Sequence, residues 1–270
     1  MTGVLAIGPF MVPVDRLAAV LAVVVFLALY GIGTRRTGST AANVASLAVI
    51  VGIVAARAAY VAAHFSSFRA DISAIFAIWQ GGFAPWAGII AAAVTLMLLL
   101  RRTPSLVPAL TSLAIAAALW AGTAHFITNV KPTPLPTGLV AHDLAGKAVR
   151  LDSLRGKPFV INLWATWCGP CQREMPMLVQ AAKERPDVPV LFLDQGEDTR
   201  TIQAFLADKM LKPANVLLDP KMDSGRALGA AALPTTIFVA SDGTIRTRHL
   251  GEISRAALDA GMDDLREFTR

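Results

Sequence analysis

The sequence predicts two unlike parts in one chain: an all-α polytopic membrane domain of about four transmembrane helices, then a C-terminal α/β domain. Three observations carry this. Four apolar stretches of spanning length crowd into the first half. Residues 1–130 hold seven Lys or Arg against Asp15 and Asp71, whereas residues 131–270 hold 18 basic and 17 acidic side chains. Beyond residue 139, strand-like and helix-like segments alternate, as a layered α/β core requires. The net charge of +6 thus originates mostly in a half nearly devoid of polar residues. It is no argument for nucleic acid, and no nucleic-acid partner is expected.

The apolar stretches run over about 12–33, 41–65, 84–100 and 106–128. The third is short enough to be tilted or only embedded in the membrane. Arg35-Arg36 separates the first two and Arg101-Arg102 the last two, while the loop 66–82 carries only Arg69 and Asp71, which cancel. The positive-inside tendency puts both Arg pairs in the cytoplasm, with the N-terminus and everything after Thr128 outside. The first stretch lacks a basic n-region and a convincing cleavage site, so it reads as a retained helix. Arg57 lies within the second stretch, where a charge is costly and must pair or face a polar cavity. Arg57, Tyr60 and His64 share one helix face. They read either as a lipid head-group contact or as interfacial snorkelling and aromatic anchoring.

Residues 131–138, Lys131-Pro132-Thr133-Pro134-Leu135-Pro136-Thr137-Gly138, read as a linker. Alternate prolines cannot continue a helix and favour a stiff, extended spacer. At about 3 Å per residue it would hold the next domain roughly 20 Å from the membrane.

The α/β domain, 139–270, contains both cysteines of the chain, in Trp164-Ala165-Thr166-Trp167-Cys168-Gly169-Pro170-Cys171. The preceding apolar run 158–164 reads as a buried strand and 172–184 as a helix. Cys168 therefore falls at a strand-to-helix junction, where free backbone N–H groups and the helix dipole favour a thiolate. The spacing lets Cys168 attack a disulfide while Cys171 resolves the mixed species. A zinc site would need two more ligands at regular spacing, and His125, His142 and His249 are scattered, so no metal and no cofactor are expected. A structural bridge over two residues would close almost no loop.

The remaining elements follow in order. Residues 188–193 read as a strand, 199–211 as an amphipathic helix, 215–218 as a short strand and 224–228 as a short helix. Residues 235–240 and 244–249 form a hairpin around Ser241-Asp242-Gly243. Ser254 caps a last helix that runs to about Phe268. Trp164 packs in or beside the core; Asp194 and Glu197 read as loop acids and are assigned no role.

With these residues in view, 139–270 resembles the thioredoxin fold, and specifically the membrane-tethered TlpA-type thiol–disulfide oxidoreductases. The resemblance rests on 164–171, on Glu174 three positions after the second cysteine, on Pro176, and on Leu233-Pro234-Thr235-Thr236. It implies a cis bond at Leu233–Pro234 beside the CxxC, with the Leu233 backbone open to an extended substrate segment. It implies a substrate surface of Trp167, Leu233, Pro234 and Thr235. Glu174 becomes a candidate proton relay for Cys171; the competing reading is a first-turn acid that faces water.

Residues from about 12 to 100 resemble the N-terminal portion of prolipoprotein diacylglyceryl transferase, through Ala56-Arg57-Ala58-Ala59-Tyr60-Val61 and the stretch 75–83. The expected His-Gly-Gly is replaced by Pro85-Trp86-Ala87-Gly88, so an anchor or lipid-contact scaffold is expected rather than acyl transfer.

The expectation is a multi-pass protein of the bacterial inner membrane with its redox domain in the periplasm. It would reduce disulfides of exported proteins, cytochrome c or metal-site assembly clients among them. Its helices contain no cysteine, so a separate membrane electron donor must recharge Cys168 and Cys171. Gly-Pro between the cysteines matches thioredoxin, at about −270 mV, rather than a strong oxidant. The competing readings are a lipid-modifying enzyme with a fused redox domain, a thiol oxidase, and a non-catalytic docking module.

Overall fold

Short apolar runs alternating with amphipathic segments after residue 139, and long apolar helices before it, produce two separate units in the computed structural model, Leu5–Val130 and Lys131–Arg270. The structure describes residues 4–7, 10–34, 39–69, 72–128 and 132–267. The Arg35-Arg36 pair, Asp71, Lys131 and Phe268, all used in the reading above, lie outside the described residues.

The first unit begins with a two-stranded sheet, β1 (Val4–Ile7) and β2 (Phe10–Pro13). Its helices are α1 (Val14–Gly33), α2 (Ser39–Ala63), the single turn α3 (Phe65–Phe68), α4 (Pro85–Leu100) and α5 (Leu106–Thr128). Three of them, α1, α2 and α5, are long and apolar enough to cross a membrane; α4, at 16 residues, is shorter. Helix α2 packs on α4 and α1 on α5. Small residues permit the first crossing: a Cβ on Gly88 would lie 2.8 Å from the Gly52 carbonyl oxygen, too close for any real side chain. Outward faces carry exposed Val20, Val24, Ile50, Val54, Ile90 and Leu98. An apolar belt of this kind is stable against lipid rather than water. This is a membrane protein.

Between α3 and α4 the expected loop contains two short 3₁₀ turns, Ile72–Phe76 and Ile78–Gln80. They fold onto α2 around Arg57, which is buried. Its Nε donates to Ile75 O (3.0 Å), one terminal nitrogen to Gly81 O (2.5 Å) and Gly82 O (2.8 Å), the other to Ala74 O (2.7 Å). The charge is thus met by carbonyl dipoles and by the Phe68 and Phe83 rings.

The second unit is an eight-stranded sheet with helices on both faces. Its elements are β3 (Thr133–Pro134), β4 (Val140–Asp143), β5 (Ala148–Arg150), β6 (Phe159–Trp164), α6 (Gly169–Glu184), β7 (Val190–Gln195), α7 (Thr199–Asp208), β8 (Val216–Asp219), α8 (Asp223–Ala227), β9 (Thr235–Val239), β10 (Thr244–Leu250) and α9 (Arg255–Glu267). The strand order is β3-β10-β9-β6-β7-β8-β4-β5. The central β6, β7 and β8 run parallel, and β9 is antiparallel to β6.

Alternation divides the strands between two cores. Val160, Trp164, Val190, Phe192 and Phe238 face the α6, α7 and α9 side, with Met175, Leu178, Ile202, Leu258 and Met262. Ile161, Leu163, Leu191, Leu193 and Ile237 face the other, with Leu135, Leu151 and Leu228. Asp198 caps α7 by accepting from Thr201 N (2.8 Å), and Ser254 Oγ accepts from Ala257 N in the first turn of α9 (3.3 Å).

The segment read as a free spacer needs correction. Thr133 and Pro134 pair with β10, Leu135 N donates to Gly243 O at 2.8 Å, and Leu135 is buried in the second core. The chain there is extended, but the apolar Leu135 side chain ties it into the domain as an edge strand, where proline is tolerated.

Candidate active site

Strand β6 is buried over its whole length and ends at Trp164, directly before the loop that carries the cysteines. Gly169 and Pro170 start α6, a position where proline's missing N–H and fixed φ suit the first turn. Cys168 is the N-cap of that helix: its Sγ accepts from Cys171 N at 3.3 Å, and Gln172 N donates to its carbonyl at 3.0 Å. The two sulfurs are joined as a disulfide, with 5.2 Å between the Cα atoms. Cys171 is 0% exposed and Cys168 5%. Both are buried, and Cys168 is the less enclosed of the two. Beside it Trp167 stands 70% exposed, although Trp164 is fully buried.

The Leu233–Pro234 peptide bond is cis, as the resemblance implied. Leu163 pairs with Thr235 across β6 and β9, so the cis peptide lies at the end of β6 from which the CxxC loop departs. Leu233 is half-buried against both cores and Pro234 is buried. Thr235 is buried and its hydroxyl donates to Ala232 O at 2.6 Å. Its side chain therefore faces inward; Gly251 N donates to the Pro234 carbonyl at 2.9 Å and Thr235 is laddered to both β6 and β10, so Leu233 is the residue of this segment whose backbone lies outside the ladder.

Glu174 does not face water. It is 3% exposed, one turn into α6 from Cys171. Asn162 Nδ2 donates to Oε1 at 2.9 Å, and Ile253 N donates to Oε2 at 2.8 Å. Burial pushes its carboxyl up from 4.5 to about 8, against the lowering effect of those two hydrogen bonds. Such a carboxyl carries a proton at neutral pH and exchanges it at modest cost. Arg173, next along the helix, pairs with Glu252 at 2.8 Å, one residue before Ile253.

Asp194 and Glu197 are not passive loop acids. Asp194 is the fifth residue of β7 and fully buried; Glu197, half-buried, is bonded to Thr166 of the cysteine loop. Their positions in sequence carried no such signal, because the bond to Thr166 joins residues 31 apart. In the membrane unit Tyr60 and His64 stack at 4.3 Å between ring centroids, and Arg57 is engaged by the carbonyls described above.

Comparison with known proteins separates the same two parts. The redoxin family model matches residues 126–263, and the prolipoprotein diacylglyceryl transferase model matches residues 3–127. Thiol-disulfide oxidoreductase ResA of Halalkalibacterium halodurans is 30% identical over 126 residues, 46% of this chain and 71% of that protein. The protein of the same description from Geobacillus thermodenitrificans is 27% identical over 129 residues, 47% of this chain and 74% of that one. Among solved structures, that of MTB dsbF in mixed oxidized and reduced forms is 27% identical; it covers 49% of this chain and 98% of its own, with a TM-score of 0.46.

Proposed function

Since the chain belongs to the redoxin family and is a thiol–disulfide oxidoreductase, we propose that it is a membrane-anchored reductase of disulfides in exported proteins. The observation that carries this is the graded exposure of one sulfur pair at a helix N-terminus, with a protonatable carboxyl buried behind it.

In the reduced protein, the Cys168 thiolate attacks a client disulfide, a mixed disulfide forms, and one client sulfur leaves as thiolate. The ionised form of Glu174, a minority near neutral pH, takes the proton of the Cys171 thiol, which attacks Cys168 Sγ; the second client thiolate leaves and takes up a proton. Two electrons pass to the client, and the Cys168–Cys171 disulfide seen here is the product. The exposed Trp167 and the Leu233 backbone are the docking surface. A separate thiol donor in the membrane returns two electrons to the pair. Positive charge at Arg101 and Arg102, exposed at the end of α4, supports a periplasmic address for the redox unit.

The test is capture with Cys171→Ser, which stops the reaction at the mixed disulfide. Exported proteins should accumulate on Cys168, together with one membrane protein as donor. A chain in which Cys168 rests oxidised and accelerates disulfide formation in reduced clients would instead be an oxidase.

A further inference from the structure

The loop that carries the cysteines is held by two carboxyls that this dithiol mechanism leaves unused. Thr166, two residues ahead of Cys168, donates its N–H to Glu197 Oε2 at 2.6 Å and its hydroxyl to Oε1 at 2.5 Å. Its carbonyl accepts from Gln172 Nε2 on α6 at 2.6 Å. Thr166 is thus fixed at three atoms, between the end of β7 and the first turn of the active-site helix.

Glu197 is itself held from below. Its backbone N–H donates to Asp194 Oδ1 at 3.0 Å. Asp194 is 0% exposed and its Oδ2 has no hydrogen-bond donor within reach. The β6–β7 register pairs Asp194 with Trp164, so the Asp194 side chain leaves the sheet on the face of the core that contains Cys168 and Cys171. The side-chain neighbour of Asp194 is the Glu197 carboxyl. Two carboxylates bring no hydrogen to such a contact; it becomes a hydrogen bond only when one of them keeps its proton.

We propose that Asp194 and Glu197 are a positioning pair for the nucleophile: sharing one proton, they clamp Thr166 and thereby hold Trp167 and Cys168 in the geometry of attack. The inference rests on the reading of Cys168 as the attacking sulfur. The electrostatics agree with the geometry. Burial first, then the Glu197 carboxyl, push Asp194 up from 3.8 to about 8. The other charged group facing it, Asp219 at the end of β8, is also an acid. With the proton on Asp194, Glu197 keeps the negative charge and both its oxygens for Thr166. Charge-assisted bonds of this kind are the stronger ones.

The test uses the full chain in detergent micelles with Cys171→Ser, so that Cys168 is the only thiol. The readout is the rate of Cys168 alkylation by iodoacetamide. Glu197→Ala should slow it about tenfold or more, the kinetic equivalent of losing charge-assisted hydrogen bonds. Glu197→Gln should bring it back to within roughly threefold of the parent, because an amide can accept from Thr166 N–H and donate to its hydroxyl. Thr166→Val, isosteric and without the hydroxyl arm, should fall between, and it makes the same comparison if Ala at 197 prevents folding.

Infrared spectra read the shared proton directly. With Glu174→Gln present to remove the other carboxyl that burial raises to about 8, a protonated-carboxyl band should persist at neutral pH and vanish on adding Asp194→Asn. Parent-like alkylation in Glu197→Ala or Thr166→Val overturns the proposal. So does a Gln variant as slow as the Ala variant, or the absence of an Asp194-dependent band. Those results leave Cys168 as the reactive sulfur; exchange activity that survives Cys168→Ser would instead overturn the functional reading beneath.

Discussion

Glu174 is the residue on which stability and chemistry meet. Its carboxyl is raised to about 8 by burial, so between pH 4.5 and 8 the folded protein holds a proton that the unfolded chain has released. The contribution of this group to stability is therefore full below about 4.5 and is lost as pH rises through about 8. At about 1.4 kcal/mol per unit, the effect is on the order of a few kcal/mol. The thermal midpoint of the oxidised redox unit should fall from pH 5 to pH 8, and Glu174→Gln should flatten that fall. Calorimetry across this range checks both; an unchanged slope would mean that Glu174 is ionised throughout. The same substitution should prolong the mixed disulfide about a hundredfold, the usual scale of a lost general base.

At the scale of elements, the segment 72–83 depends on two glycines at positive φ, Gly81 and Gly82. Gly82 has φ +79°, and a Cβ there would meet Tyr60 Cε1 at 2.6 Å and an Arg57 terminal nitrogen at 2.8 Å. A side chain would strain the backbone and push the guanidinium off its carbonyls. Gly82→Ala should cost the membrane unit about 2 kcal/mol or more in unfolding, whereas Gly122→Ala on α5, with open space around its Cβ, should be neutral. Denaturation in mixed micelles distinguishes them. In the redox unit, elements were legible wherever neighbours in sequence decide them: the Asp242-Gly243 turn closes the expected hairpin, with Asp242 Oδ1 accepting from Thr244 N at 2.8 Å. The edge strand β3 was not legible, because its partner lies more than a hundred residues away.

At the scale of the molecule, the proposed topology leaves the dithiol outside the membrane. A membrane-impermeant maleimide should label Cys168 in intact spheroplasts after reduction, and should leave Arg-loop cysteines introduced beside Arg101 unlabelled. Labelling of the second set and not the first would invert the topology. The sequence by itself determined the two-part plan and the redox pair. These depend on lengths, periodicity and a three-residue spacing, all local properties. Tertiary structure alone decided that Glu174 is buried against Ile253, that Glu197, seated on Asp194, grips Thr166, and that Arg57 is sheathed in carbonyls. The reason is physical: a carboxyl's proton and a cation's partners are set by desolvation and by groups that only the folded chain brings within 3 Å.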